Sequence, residues 1–329
     1  MIPNRMVNIG EARLEFGELV DDMGVWLTKP DTLADEAIAA TRGWSRRQLF
    51  QTLEECLTTD RVVPDELAPL VAHLRSVPDW IDRAAFVRGG EFFMSTHAFG
   101  GFVLGARSLV LGFASPAGNK PLMLSGRLEA NMNRRLAETS QCVFDVTSRG
   151  GLMPKGPGIV AAAKVRLIHA YVRRMIQEHG QWNDDWGLPI NQHDMMATVL
   201  LFSVVMLEGL SLLGLEPTEQ ESDDYIALWR YVGYLLGVAE ELLPTSLSQA
   251  KHLMSFVDKT QGAPDADARR LTAAFLGASV ELAKTPKARK QAQKQVKFGQ
   301  SLTRHLLTKE MADGLGIPDH GRSKILSVL

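Results

Sequence analysis

An all-α fold follows from three observations. Apolar residues recur at three- and four-residue spacing through most of the chain, alternation with period two is almost absent, and helix-starting and helix-stopping residues punctuate the pattern. Asp31 opens a helix over 31–43 that closes at Gly43, and Ser45 takes the N-cap role for 45–58; both read as short surface helices. Pro64 at a first turn leads into DELAPLVAHLRSV, and Pro78 marks the break before DWIDRAAFVRGGEFF. Residues 96–113 carry Gly100, Gly101 and Gly105 inside an apolar helical run, a pattern that suits close helix packing. Loops are expected at 115–121 and 149–158. From 159 to 179 the chain runs without Gly or Pro and ends at Gly180, a C′ residue. A Trp/Asp/Pro-rich loop over 181–191 precedes one long buried helix from about 192 to 214, then a helix YIALWRYVGYLLGVAEELL that stops at Pro244. The basic run at 284–297 reads as a solvated helix face.

Composition narrows the class. The 329 residues are 45% hydrophobic and 22% charged, which argues against disorder, collagen-like repeats and coiled-coil rods. With 36 Lys and Arg against 38 Asp and Glu, the net charge of −2 gives no basic field for nucleic acid. Cys56 and Cys142 have no CxxC spacing, so neither a disulfide framework nor a cysteine zinc site is expected. The greasiest segments, 99–114 and 199–215, are interrupted by Arg107 and Glu208, so no membrane span is expected. The N-terminal segment lacks the apolar stretch of a signal peptide, and the expected location is cytoplasmic. We expect one helical domain over 1–329, with a core at 60–260 and accessory helices at 1–59 and 261–329.

GxSxG, HExxH and GxxxxGK[ST] are all missing, as is a strand followed by GxGxxG, so hydrolase, P-loop and Rossmann chemistries lose support. What stands out is a pair of helices with polar residues on apolar faces. In RRLAETSQCVF, Arg135, Glu138 and Thr139 project from one side of a helix beside Leu136, Val143 and Phe144. In KVRLIHAYVRR, His169 and Arg173 are one turn apart and Arg166 precedes His169 by a turn, among Ala, Val, Leu, Ile and Tyr. A neutral imidazole on a rigid helix suits a haem iron, and nearby arginines suit propionates. Spacing alone leaves open a hydrogen-bonded core histidine.

The runs RRLAET, DVTSRGG, VRLIHAYVR, WGLPINQHDMMAT and VGYLLGVAEELLP resemble, in order and spacing across about residues 60–260, the latex-clearing protein (rubber oxygenase) superfamily, which includes the mycophenolic-acid-pathway oxygenases. The resemblance implies a globin-like helical core holding one haem b, with His169 as the axial ligand to iron. It places Arg135 and Thr139 on the distal side and Arg173 near the proximal edge; Arg166 joins them as a cofactor-binding residue. Asn191, Gln192 and Asp194 read as an N-cap and loop hydrogen-bond element. Two departures matter. Glu138 stands where rubber-cleaving members have a lysine, so a lysine-capped haem is not expected. The stretch SPAGNKPLMLSGRLEA offers no equivalent of the distal glutamate, though Asn119 stands near its place. Without a twin-arginine signal, the implied substrate is a small apolar molecule, olefinic or isoprenoid, oxidised with O₂, rather than an exported polymer. Glu138, buried near apolar groups, would relay a proton, Thr139 would hydrogen-bond oxygen or water, and Arg135 would stabilise developing negative charge. A haem-binding sensor or carrier without oxygenase activity, and a haem-free hydrophobic-ligand protein, are the alternatives.

Overall fold

The computed structural model describes residues 3–125 and 128–321, with the backbone alone at 128–131. Among these the elements are helical; one isolated antiparallel bridge, Met6 to Gln261, ties the N-terminal segment to the end of the Leu247–Thr260 helix. Residues 126–127 of the SPAGNKPLMLSGRLEA stretch, and 322–329 of the C-terminal accessory segment, lie outside the described residues.

Local signals act where the sequence places them. Asp31 Oδ1 accepts from the Ala34 amide at 3.4 Å to start Thr32–Ala40, and Ser45 Oγ accepts from Gln48 at 3.1 Å to start Arg46–Thr58. Both helices bury one face; Ala34, Ala37 and Ile38 of the first lie in the core against the Pro157–His179 helix, so it is not a surface decoration. Gly180 closes Pro157–His179 with φ 65°, the left-handed conformation of a C′ residue. Asn191 Oδ1 accepts from the Asp194 amide at 2.9 Å, the expected N-cap.

Three boundaries differ from expectation. The run from 192 to 214 is two helices, Gln192–Phe202 and Val204–Leu212, broken at Ser203, whose hydroxyl bonds back to the Val199 carbonyl at 2.8 Å. By length and composition Gln192–Leu212 is apolar enough to cross a bilayer, but 61% of its most apolar window is buried inside the fold, as for a core helix. The next helix starts earlier, at Glu219, because Thr218 and Glu221 form a capping box, and it ends at Leu235, well short of Pro244. Gly237 (φ 84°) turns the chain there. Finally, 96–113 resolves into Ala98–Val103, a π-helical turn at Leu104–Ser108, and Leu109–Ala114; of Gly100, Gly101 and Gly105 only Gly100 is hemmed in, by Thr96 and Phe93.

One large core joins the middle helices to the N-terminal ones. Its tightest seam is Arg83–Ser95 against Glu219–Leu235. There an added Cβ on Gly89 would sit 2.3 Å from the Asp224 carbonyl oxygen, so the absence of a side chain is what lets the two backbones meet.

Candidate functional site

The Leu128–Thr147 and Pro157–His179 helices form a hairpin across the 148–156 turn. Arg135 precedes Thr147 by as many residues as His169 follows Pro157, so at about 1.5 Å of rise per residue the two stand at the same height above the turn. On the first helix, Arg135, Leu136, Thr139 and Cys142 are half-buried along one side. On the second, Val165, Ile168, His169 and Val172 are also half-buried, whereas Arg166 and Arg173 point into the fully packed side. Two apolar faces are thus incompletely covered by the rest of the chain.

His169 Nδ1 is buried with no hydrogen-bond partner, and no hydrogen bond to the other ring nitrogen occurs among the described residues. Burial, and then the Arg173 charge, push the imidazole down to about pKa 4 against a weaker opposing pull from Asp31. The ring is neutral at physiological pH. Among the described residues Thr139 Oγ1 has no hydrogen-bond partner, and Arg135 has only a neutral acceptor, donating from Nη2 to Ser125 Oγ at 3.0 Å. Burial pulls the Arg135 guanidinium below its usual range, opposed by Glu138.

The arginines beside His169 are differently placed from the expectation that they meet a cofactor. Arg166 donates to both oxygens of Asp31 at 2.6 and 2.7 Å. Arg173 donates to the carbonyls of Pro189 (3.0 Å) and Ile190 (2.7 Å) and pairs with Asp35. Arg173 is spent on protein acceptors and Arg166 on Asp31, save for Arg166 Nη1, which is buried without a partner; the two pairings fix the rotation of the helix and so the direction of the imidazole. Glu138 is also corrected: its side chain is 59% exposed and pairs with Arg134 at 2.8 Å, one turn back, so it is not buried among apolar groups. Asp31 and Asp35 escaped the sequence reading because nothing local ties them to arginines more than 130 residues away.

The WGLPINQHDMMAT segment is structural. Gln192 donates to the Pro30 and Gly237 carbonyls at 3.1 and 2.9 Å and accepts from the Ala239 amide at 2.8 Å. Asp194 receives both Arg5 amino groups at 2.9 and 2.7 Å. Burial opposes its ionisation, but Arg5 and His193 hold its carboxyl far below the ordinary range. Asn119 is fully buried, donating to the Phe113 carbonyl at 3.1 Å.

Among the described residues no three His, Cys, Asp or Glu side chains cluster to hold a bare metal ion. An imidazole without a hydrogen-bond partner among the described residues, beside two half-covered faces, fits a flat prosthetic group that brings its own ligands to iron. His169, Thr139 and Arg135 suit such a group, whereas Arg173 is engaged by protein acceptors and Arg166 keeps only Nη1 unpartnered.

Residues 94–327 match the family model for the catalytic domain of ER-bound oxygenase mpaB/B' and rubber oxygenase. The chain is 27% identical over 223 residues to a rubber oxygenase from Streptomyces sp. (strain K30), covering 67% of this chain and 54% of the relative, so it spans about half the length of that protein. Its fold superposes on the latex clearing protein in the closed state with a TM-score of 0.75, at 23% identity, over 90% of this chain and 80% of the other.

Proposed function

Because the chain belongs to the mpaB and rubber oxygenase catalytic-domain family, we propose that it is a haem-dependent oxygenase acting with O₂ on a small apolar substrate, olefinic or isoprenoid. The observation that carries this reading is the His169 imidazole, neutral, rigidly held and without a hydrogen-bond partner, on a half-covered apolar face.

The haem supplies the oxidation chemistry when bound; the chain supplies orientation and environment. His169 offers a lone pair because burial keeps it unprotonated. Its helix cannot roll, since Arg166 is clamped to Asp31 and Arg173 to Asp35 and two backbone carbonyls. Arg135, with no carboxylate partner among the described residues, presents a cation to an anionic oxygen at the same height. The Thr139 hydroxyl is free to donate to a polar atom bound between the helices. Val165, Ile168, Val172 and Leu136 exclude water and accept an apolar molecule. Glu138 has no part in this, facing solvent as it does.

The test is the absorption spectrum of the purified protein, oxidised and dithionite-reduced, beside His169→Ala, followed by O₂ uptake with isoprenoid olefins. A Soret band lost or shifted in the variant, with substrate-dependent O₂ uptake in the wild type, is the expected result. No Soret band after haem is supplied would sink the reading in favour of a haem-free ligand protein. A band without O₂ uptake would leave a haem carrier or sensor.

A further inference from the structure

A cavity of about 470 Å³ lies at the other end of the His169 helix, where Ile159 forms part of its wall. At about 1.5 Å per residue, Ile159 is about 15 Å along the axis from His169, and none of the residues placed above in the haem site lines this cavity. The volume falls in the range of small-molecule sites, about 300–1,000 Å³. Its floor is apolar, made by Leu57, Leu74, Phe86, Leu152 and Ile159. Its rim is cationic: Arg61, Arg75, Arg83 and Lys155 face it, against the one carboxylate of Asp60.

Three of these cations are engaged. Arg61 pairs with Glu55, Lys155 with Asp60 at 3.0 Å, and Arg75 donates to the Cys56 carbonyl at 2.5 Å. Arg83 has no hydrogen bond or ion pair among the described residues. Tyr231 is 3% exposed, its ring stacked on Phe86 at 5.4 Å, and the residue lines the cavity with a hydroxyl that has no hydrogen-bond partner among the described residues. The hydroxyl keeps access to the cavity and can donate to a ligand's acceptor there. Arg83 and Tyr231 line the same cavity, and burial and Tyr234 push this hydroxyl's pKa up while the Arg83 charge pulls it down.

We propose that this cavity binds an amphiphilic carboxylate, with its apolar chain on the Leu57, Leu74, Phe86, Leu152 and Ile159 floor and its head between the Arg83 guanidinium and the Tyr231 hydroxyl. The site is independent of the haem reading. It discriminates by charge: an uncharged chain of the same length gains the floor but leaves Arg83 and Tyr231 unmatched.

Isothermal titration calorimetry of the purified full chain tests it, with dodecanoate below its micellar concentration, dodecanol and dodecyl phosphate as probes. Saturable dodecanoate binding is expected, with dodecanol at least about tenfold weaker. Arg83→Ala and Tyr231→Phe should each weaken dodecanoate by about tenfold without lowering the melting temperature much, since Arg83 is exposed and Tyr231→Phe keeps the ring. His169→Ala should bind dodecanoate as the wild type does, which separates this cavity from the haem site. Tighter binding of dodecyl phosphate would reassign the head to phosphate and keep the amphiphilic-anion site. Equal binding of dodecanol, an unchanged Kd in Arg83→Ala, loss of binding in His169→Ala, or no saturable dodecanoate binding would each overturn the proposal.

Discussion

The Arg166–Asp31 pair holds the helix that carries His169, and Asp31→Asn measures how strongly. The side chains are 2% and 5% exposed, and two charge-assisted hydrogen bonds of 2.6 and 2.7 Å join them. Arg166 Nη1 is already buried without an acceptor, so removing the carboxylate charge leaves a whole guanidinium uncompensated. The pocket cannot relax easily, because Gly237 sits against it: a Cβ there would lie 2.3 Å from Asp31 Oδ2 and 2.5 Å from Arg166 Nε. Asparagine keeps the volume and the cap on Ala34, so the loss reports the charge. Breaking one partner of a buried pair costs about 3–5 kcal/mol. At a urea m-value near 3 kcal/mol/M this moves the unfolding midpoint down by about 1 M or more. Adding Arg166→Met to Asp31→Asn removes the stranded charge and should recover part of the loss. An Asp31→Asn protein within about 1 kcal/mol of wild type, or a double variant no more stable than the single one, would refute the claim that an uncompensated charge sets the cost.

Three other outcomes follow. Asp194 has a carboxyl pKa depressed from 3.8, chiefly by Arg5 once burial is overcome, so its pairing stabilises the fold fully above the unfolded value and is lost as pH falls below it; Asp194→Asn should cost roughly 3 kcal/mol at pH 7 in urea melts, with the two stability curves converging below pH 4. Gly89→Ala, forced against the Asp224 carbonyl at 2.3 Å, should destabilise by about 1–3 kcal/mol in thermal or urea unfolding, whereas helix propensity alone would stabilise it. Glu138→Gln removes an exposed ion pair and should change stability by less than about 0.5 kcal/mol while leaving any substrate-dependent O₂ uptake at the wild-type rate; a slowed rate would return Glu138 to the chemistry.

The sequence was legible where local chemistry decides. Asp31, Ser45 and Asn191 cap the helices they precede and Gly180 ends its helix, because each role needs only neighbours within a turn. His169 stood out as the single imidazole on an apolar helix, and the resemblance to the family gave it its candidate role. It was wrong-footed where apolar periodicity hides a break: nothing in VLLFSVVM marks Ser203 as a stop, since the hydroxyl competes for a carbonyl that any helix offers. The facing partner decides burial too. Glu138 shares a helix face with Arg135 by spacing, yet Arg134 draws it to solvent, and Arg166 and Arg173 meet Asp31 and Asp35, which lie far away in the chain. The Arg83 and Tyr231 cavity is assembled from separate elements and leaves no pattern in any one of them.

The N-terminal segment is fastened to places the ribosome delivers late. Val7 donates to the Thr260 carbonyl at 2.9 Å, Met6 pairs with Gln261, and Arg5 clasps Asp194. None of these closures can form before residue 194 is made, and the outermost must wait for residue 261. Loop closure over such a span is entropically costly and slow, so the beginning of the chain remains unfastened through most of synthesis and is among the last parts to dock. The helix carrying the candidate ligand does not wait for that docking, since its clamps join Asp31 to Arg166 and Asp35 to Arg173 across shorter stretches of chain.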